Sequence, residues 1–165
     1  MDLKRFWRHI VMTPRTARRA FPPAALEAIR LAVAAREKRH RGEVRFAVEP
    51  ELTTLQLWRG LESRARAIQV FSQLGVGRTA ERTGVLVYVL LADHRVEIVA
   101  DQAIAAKVAQ AEWQAVCATM QEAFRAGRFE EGSVAGVEAV SALLERHFPA
   151  GDENRNELPD QPVML

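Results

Sequence analysis

Gly84-Val-Leu-Val-Tyr-Val-Leu-Leu-Ala-Asp-His-Arg-Val-Glu-Ile-Val-Ala-Asp101 carries the strongest structural signal in the chain. Val85 to Leu91 are seven consecutive apolar residues. A short run of that kind, rich in β-branched side chains, predicts a strand covered on both faces. Ala92-Asp93-His94-Arg95 predicts a turn, although it lacks the Asn-Gly or Asp-Gly pair that marks the tightest hairpins. Arg95 to Ala100 then predicts a second, antiparallel strand, with Glu97 interrupting its apolar character.

Upstream, Gly75-Val-Gly-Arg-Thr-Ala-Glu-Arg-Thr-Gly84 predicts a loop. Its glycines precede a strand rather than a helix. A phosphate-binding glycine loop runs the other way, from strand into helix, so that backbone N–H groups face the anion. Nucleotide binding through this loop is therefore excluded. Arg64–Leu74 predicts a helix with Ala65, Ile68, Phe71 and Ser72 facing inward, and Leu55, Trp58 and Leu61 suggest a shorter helix before it. Glu43–Glu49 alternates, with Val44, Phe46 and Val48 on one face and a partly exposed face opposite. Strand, helix, strand implies a right-handed crossover and parallel pairing of the first two strands. Ala25–Arg39 predicts a helix in which Leu26, Ile29 and Val33 are buried and Glu37 is exposed, stopped by Gly42 in a left-handed conformation. Downstream, Asp101 caps a short helical turn, Glu112–Ala126 is a helix facing inward through Trp113, Val116, Met120 and Phe124, and Ser133–His147 is the last helix. The expected fold class is α/β: a three-layer α/β/α sandwich around a small mixed β-sheet with a central β-hairpin.

The expected organisation is a basic amphipathic segment over residues 1–20, a single domain over 21–149, and a flexible polar tail over 150–165. Charge is unevenly spread. Residues 1–45 carry 12 Lys/Arg against 4 Asp/Glu, and residues 46–165 carry 11 against 17. A basic first part suits an anionic partner, but the favoured reading is that the two parts meet in the fold and neutralise each other. Leu3, Phe6, Trp7, Ile10 and Val11 follow the spacing of one helix face, with Lys4, Arg5 and Arg8 off it. Two readings stay open for this face: it closes the core, or it lies on an anionic membrane or a partner. Arg8, His9, Arg15, Arg18 and Arg19 interrupt any apolar run after the basic start, so no secretory signal is expected, and no stretch is long and apolar enough to span a bilayer. The expected location is cytoplasmic, with membrane association through residues 1–20. The single cysteine, Cys117, lies in an apolar helical pattern and is expected in the core.

Several quoted segments resemble the TPM domain family in order and spacing. They are Gly84-Val-Leu-Val-Tyr-Val with Glu97-Ile-Val-Ala-Asp101, Ala67-Ile-Gln-Val-Phe-Ser-Gln-Leu74 and Phe124-Arg-Ala-Gly-Arg-Phe-Glu-Glu-Gly132. His40-Arg-Gly-Glu-Val44 and His147-Phe-Pro149 also match, in the manner of a small soluble bacterial subgroup. The resemblance covers residues 21–149 and implies an α/β/α sandwich. It also implies a family in which some members are described as acid phosphatases, some as calcium or magnesium binders, and some as accessory factors of membrane complexes. Many members carry an Asp-Asp stretch before the first helix that helps form a metal pocket. Here the corresponding Arg15-Thr-Ala-Arg-Arg-Ala-Phe21 has no acid, which weighs against the phosphatase reading.

The topology gathers polar residues at two poles. Glu43 and Asp101, with His40, Thr83 and loop carbonyls nearby, form the first candidate for a weak Ca²⁺ or Mg²⁺ site, since such cations take several oxygen ligands. Asp93, His94 and Glu49 form the second. The ordinary alternative is that Asp101 caps a helix, Glu43 pairs with an arginine and His40 sits at a helix end. A Ser-His-Asp arrangement finds no support, because no serine lies in a nucleophile-elbow context. The expected function is a non-catalytic TPM-like binding or accessory module acting with protein partners at or near a membrane, with a metal-dependent phosphatase as the alternative. Nucleic-acid binding ranks below both, since aromatic side chains are few in the basic part.

Overall fold

The structure, a computed structural model, describes residues 2–151 and 156–165. Two short helices lead the chain, α1 (Leu3–Val11) and α2 (Pro14–Ala20), followed by α3 (Pro23–Glu37) and strand β1 (Glu43–Glu49). Next come α4 (Thr54–Trp58), α5 (Ser63–Gln73) and a 3₁₀ turn at Val76–Arg78. The hairpin is β2 (Gly84–Leu90) and β3 (Arg95–Ala100). Helices α6 (Gln102–Ala105), α7 (Gln110–Arg125) and α8 (Phe129–His147) follow, and β4 (Val163–Met164) ends the chain.

The sheet runs β3-β2-β1-β4. β1 and β2 are parallel from Glu43↔Gly84 to Glu49↔Leu90, and β2 and β3 are antiparallel from Val85↔Ala100 to Leu90↔Arg95. Every residue of β2 is buried, as its unbroken apolar run requires. Because side chains alternate across a strand, Val85, Val87 and Val89 face one layer and Leu86, Tyr88 and Leu90 the other. The first group packs with Val44, Phe46, Val48, Ile29, Val33 and residues of α7 and α8. The second packs with Ala67 and Val70 of α5, Leu52, Val76 and Leu158. Phe21 meets Phe46, Phe124 and Phe129 with ring centroids 5.7–6.4 Å apart, which ties the α2–α3 junction to α7 and α8. The α/β/α sandwich with its mixed sheet is thus the observed fold.

Four local expectations are corrected. Helix α5 turns Ser63, Ala67 and Val70 inward and leaves Ile68 exposed. Its phase is fixed by polar anchors: Arg66 to Glu49, and the Ser63 hydroxyl donating to Glu97 at 2.6 Å. Glu37 is buried, since its carboxyl accepts the Val44 N–H at 3.0 Å at the head of β1. The second face of β1 is also buried, at Ala47 and Glu49. Gly42 has no positive φ; a Cβ there would meet Leu144 Cδ1 at 2.8 Å, so close packing accounts for the glycine. Gly75 and Gly127 do adopt positive φ, at 67° and 75°.

The expected flexible tail is also revised. Residues 152–155 lie outside the described residues. Beyond them the chain returns to the sheet: Val163 and Met164 pair in parallel with Ala47 and Val48. Leu158 is buried, Arg45 donates to the carbonyls of Pro159 and Gln161, and the Ala80 N–H donates to Glu157. Polar, proline-broken composition suggested disorder; the free edge of β1 supplies backbone partners that composition does not reveal.

Candidate functional site

At the first pole, Glu43 and Asp101 flank Gly84 on neighbouring strands. Glu43 pairs with Gly84, and the Asp101 N–H donates to the Gly84 carbonyl at 2.9 Å. The backbone of Val76 packs onto Gly84 so closely that a Cβ there would lie 2.0 Å from the Val76 carbonyl oxygen. The 3₁₀ turn therefore fills the space above Gly84, and the two carboxyls are used separately. Glu43 accepts the Leu158 N–H at 2.9 Å. Asp101 accepts the Gln102 N–H at 2.7 Å and so caps α6. Its second oxygen is buried facing Gly77 and takes no hydrogen bond among the described residues. His40 Nδ1 lies 2.9 Å from the Gly42 carbonyl, and the Thr83 hydroxyl donates to the Arg41 carbonyl at 2.9 Å.

Burial is the main electrostatic influence on Glu43, Glu37 and His40. Burial raises the pKa of Glu43 against the opposing backbone hydrogen bond from Leu158. Burial likewise pushes Glu37 up to about 9, with the Val44 N–H opposing and Glu43 adding. Burial lowers His40, so its ring is neutral. Glu37, protonated at neutral pH, is a poor ligand for a hard cation.

At the second pole, Asp93 is held by the N-terminal helix. Its carboxylate accepts from Arg5 Nη2 at 2.8 Å and Nε at 3.0 Å, from His9 Nε2 at 3.1 Å, and from Arg8 Nη2 at 3.3 Å. His9 Nδ1 accepts the Leu52 N–H at 2.9 Å, which places the ring proton on Nε2, facing Asp93. Burial would raise Asp93, but the hydrogen bonds from His9 and Arg5 together outweigh it and hold the carboxyl well below its usual range. Glu49 is engaged elsewhere: Arg66 donates to it through Nη2 at 2.7 Å and Nε at 2.8 Å, and the Tyr88 hydroxyl donates to it from the adjacent strand. Burial and the Glu49 carboxylate raise the Tyr88 hydroxyl. His94 stands apart, exposed in the turn with φ 52°. Each acid proposed for this pole is thus matched by its own cations. Among the described residues, no group of three or more His, Cys, Asp or Glu side chains is placed to hold a metal ion. Cys117 is only partly buried, and burial together with Glu97 pushes its thiol up to about 11, so it is protonated at neutral pH.

The feature that sequence spacing does not disclose is which face of α1 docks. Asp2 caps this helix by accepting the N–H groups of Lys4 and Arg5. At 100° per residue, Arg5 and His9 lie opposite Leu3, Trp7 and Val11. The helix is held by the Arg5–His9–Asp93 side, with Phe6 packed against the α5 layer. Leu3, Trp7, Ile10 and Val11 are consequently 65%, 62%, 52% and 62% exposed. Arg15, Arg18 and Arg19 of α2 are exposed as well. The signal that could have found this was Asp93 itself: an acid in a hairpin turn, with three donors at i, i+3 and i+4 on the helix's polar face. Trp58 and Leu55 of α4 are also exposed, while Leu57 is the buried residue of that turn. A cleft of ≈ 460 Å³ opens between α1 and α4, bordered by Phe6, Leu57, Gly60 and Asp93. No helix among the described residues is long and apolar enough to cross a membrane.

Comparison with known proteins gives a family and a fold. The TPM domain family model matches residues 17–143. The NMR structure of BA42 protein from the psychrophilic bacterium Bizionia argentinensis sp. nov. is 28% identical. That similarity covers 86% of this chain and 93% of BA42, with a TM-score of 0.72. A comparison with curated proteins gives no match. The matched family segment begins at Ala17, inside α2, so α1 precedes it.

Proposed function

The chain belongs to the TPM domain family, and from that premise we propose that it is a non-catalytic binding module that lies on an anionic membrane surface through α1. One observation carries this reading: α1 is clamped to the domain by its polar face and turns four large apolar side chains to solvent. Soluble surfaces rarely display such a contiguous face without a use for it. The occupant is argued from charge. Residues 1–20 contain six Lys/Arg and one acid, Asp2. Lys4 and Arg8 flank the apolar stripe, and the exposed arginines of α2 follow it. An apolar stripe with basic flanks suits the boundary between acidic headgroups and acyl chains, where each basic residue contributes about 1 kcal/mol. The clamp also fixes the helix before it meets the surface, which lowers the ordering cost that a free peptide of this length meets.

The phosphatase alternative and a Ca²⁺ or Mg²⁺ site at Glu43 and Asp101 draw less support. The carboxyls there are each engaged by a separate backbone N–H, that of Leu158 for Glu43 and that of Gln102 for Asp101. The test is co-sedimentation of the full chain with phosphatidylserine-containing vesicles. The chain is expected to sediment with them and to remain in solution with neutral vesicles. Trp7→Asp combined with Ile10→Asp is expected to weaken binding about a hundredfold, because two side chains each lose about 1.5 kcal/mol or more of apolar transfer. Equal binding by the substituted chain would remove α1 as the contact.

A further inference from the structure

Three arginines meet behind the hairpin turn. Arg8 of α1, Arg95 at the start of β3 and Arg125 in the last turn of α7 line a cleft of ≈ 460 Å³, together with Asp93, His94 and Phe124. Three positive charges thus stand against one negative. That single acid is already engaged by Arg5, Arg8 and His9. Among the described residues, neither Arg95 nor Arg125 takes part in an ion pair.

Both side chains are carried on firm elements. Arg95 is the residue of β3 paired with Leu90 of β2, and α7 packs on β3 and α8. Phe124 is buried beside Arg125. His94 is brought to the rim by its left-handed turn and adds an imidazole donor. Guanidinium groups offer paired N–H donors that match the oxygens of a phosphate. This is the reverse of the cation site that Asp93 and His94 suggested.

We propose that this cleft is an oxyanion site for a phosphate-class ligand, either a free phosphate group or a phospholipid headgroup. Only Arg8 belongs to α1, so the site is separable from the apolar face of that helix.

The test is a titration of the ¹⁵N-labelled full chain with inorganic phosphate, using chloride at equal ionic strength as the control. Saturable shifts confined to the amides around His94, Arg95 and Arg125 are expected. Removing each arginine, as Arg95→Ala and Arg125→Ala, should weaken binding about tenfold or more, since each loses charge-assisted hydrogen bonds. Both positions are exposed, so the amide spectrum should remain that of the folded chain. Lys38→Ala with Arg39→Ala, in a basic segment elsewhere, should leave the shifts unchanged. Shifts spread over all basic segments, or persisting in the Arg95→Ala/Arg125→Ala chain, would overturn the proposal. Vesicles of phosphatidylcholine with phosphatidic acid then identify the source. A headgroup ligand predicts weaker vesicle binding in the double arginine variant. A free anion predicts phosphate shifts that disappear while vesicle binding is unaltered. Phosphate shifts retained in Trp7→Asp/Ile10→Asp would show the site standing apart from the α1 contact.

Discussion

Asp93 turns a loop acid into a clamp. Its carboxylate is matched by Arg5, Arg8 and His9, and against burial its pKa is lowered from 3.8 by His9 and Arg5. A lowered folded value means that its stabilising contribution is present above the ordinary carboxylate pKa and lost as pH falls through the folded value. Thermal melts should therefore show α1 released only in strong acid. Asp93→Asn should remove that acid-dependent loss and cost about 2–3 kcal/mol at neutral pH, because Arg5 and His9 lose a largely buried partner. Glu37 has the opposite sign. Its folded pKa is raised to about 9 from 4.5, so its contribution is full below pH 4.5 and declines as pH rises through about 9. Glu37→Gln should flatten stability across that window, measured by denaturant midpoints at several pH values. In the Tyr88–Glu49–Arg66 network, Tyr88→Phe should cost about 1 kcal/mol, since Glu49 keeps Arg66. Arg66→Ala should cost about 3–5 kcal/mol, since a buried carboxylate loses its cation. None of these pairings was legible beforehand. Glu37 reads as a surface residue and Glu49 as a candidate cation ligand, because spacing alone does not reveal which acid will meet a backbone N–H or an arginine from a distant helix.

At the level of elements, the hairpin was the most legible part, because seven apolar residues in succession leave only a doubly covered strand. Helices α3, α7 and α8 followed from their period, and Trp113, Val116, Met120 and Phe124 are buried as their spacing requires. Helix α5 was misphased because apolar residues occupy several of its sides, so that Arg66 and Ser63 decide its rotation. β4 was missed because two residues give no period to read; what selects them is the free edge of β1. Ending the chain at residue 155 should expose that edge and remove Leu158 from the α5 layer, lowering stability by about 2–3 kcal/mol in urea melts. Gly84→Ala tests the other side of the sheet. Its Cβ would strike the Val76 carbonyl, so the 3₁₀ turn must lift, and a loss of about 3 kcal/mol is expected.

On the scale of the whole molecule, charge and apolar surface are arranged on one end. The hairpin turn, α1 and the last turn of α7 carry Arg8, Arg95 and Arg125, beside a helix whose apolar face is turned outward. The opposite end is closed by the 3₁₀ turn and residues 156–165, over carboxyls whose pKa values are raised by burial. The sequence showed the amphipathic pattern of residues 1–11 but left its two readings open. Which face of α1 docks on the domain depends on Asp93, 88 residues from Arg5. Trp7 reports on that choice directly. In a Trp58→Phe chain the remaining tryptophans are Trp7, 62% exposed, and Trp113, 3% exposed. Emission from this chain should be read on anionic vesicles with and without brominated acyl chains. Membrane docking through α1 predicts quenching of the Trp7 emission that disappears in a Trp7→Phe/Trp58→Phe chain. Binding to the vesicles with Trp7 left unquenched would contradict it.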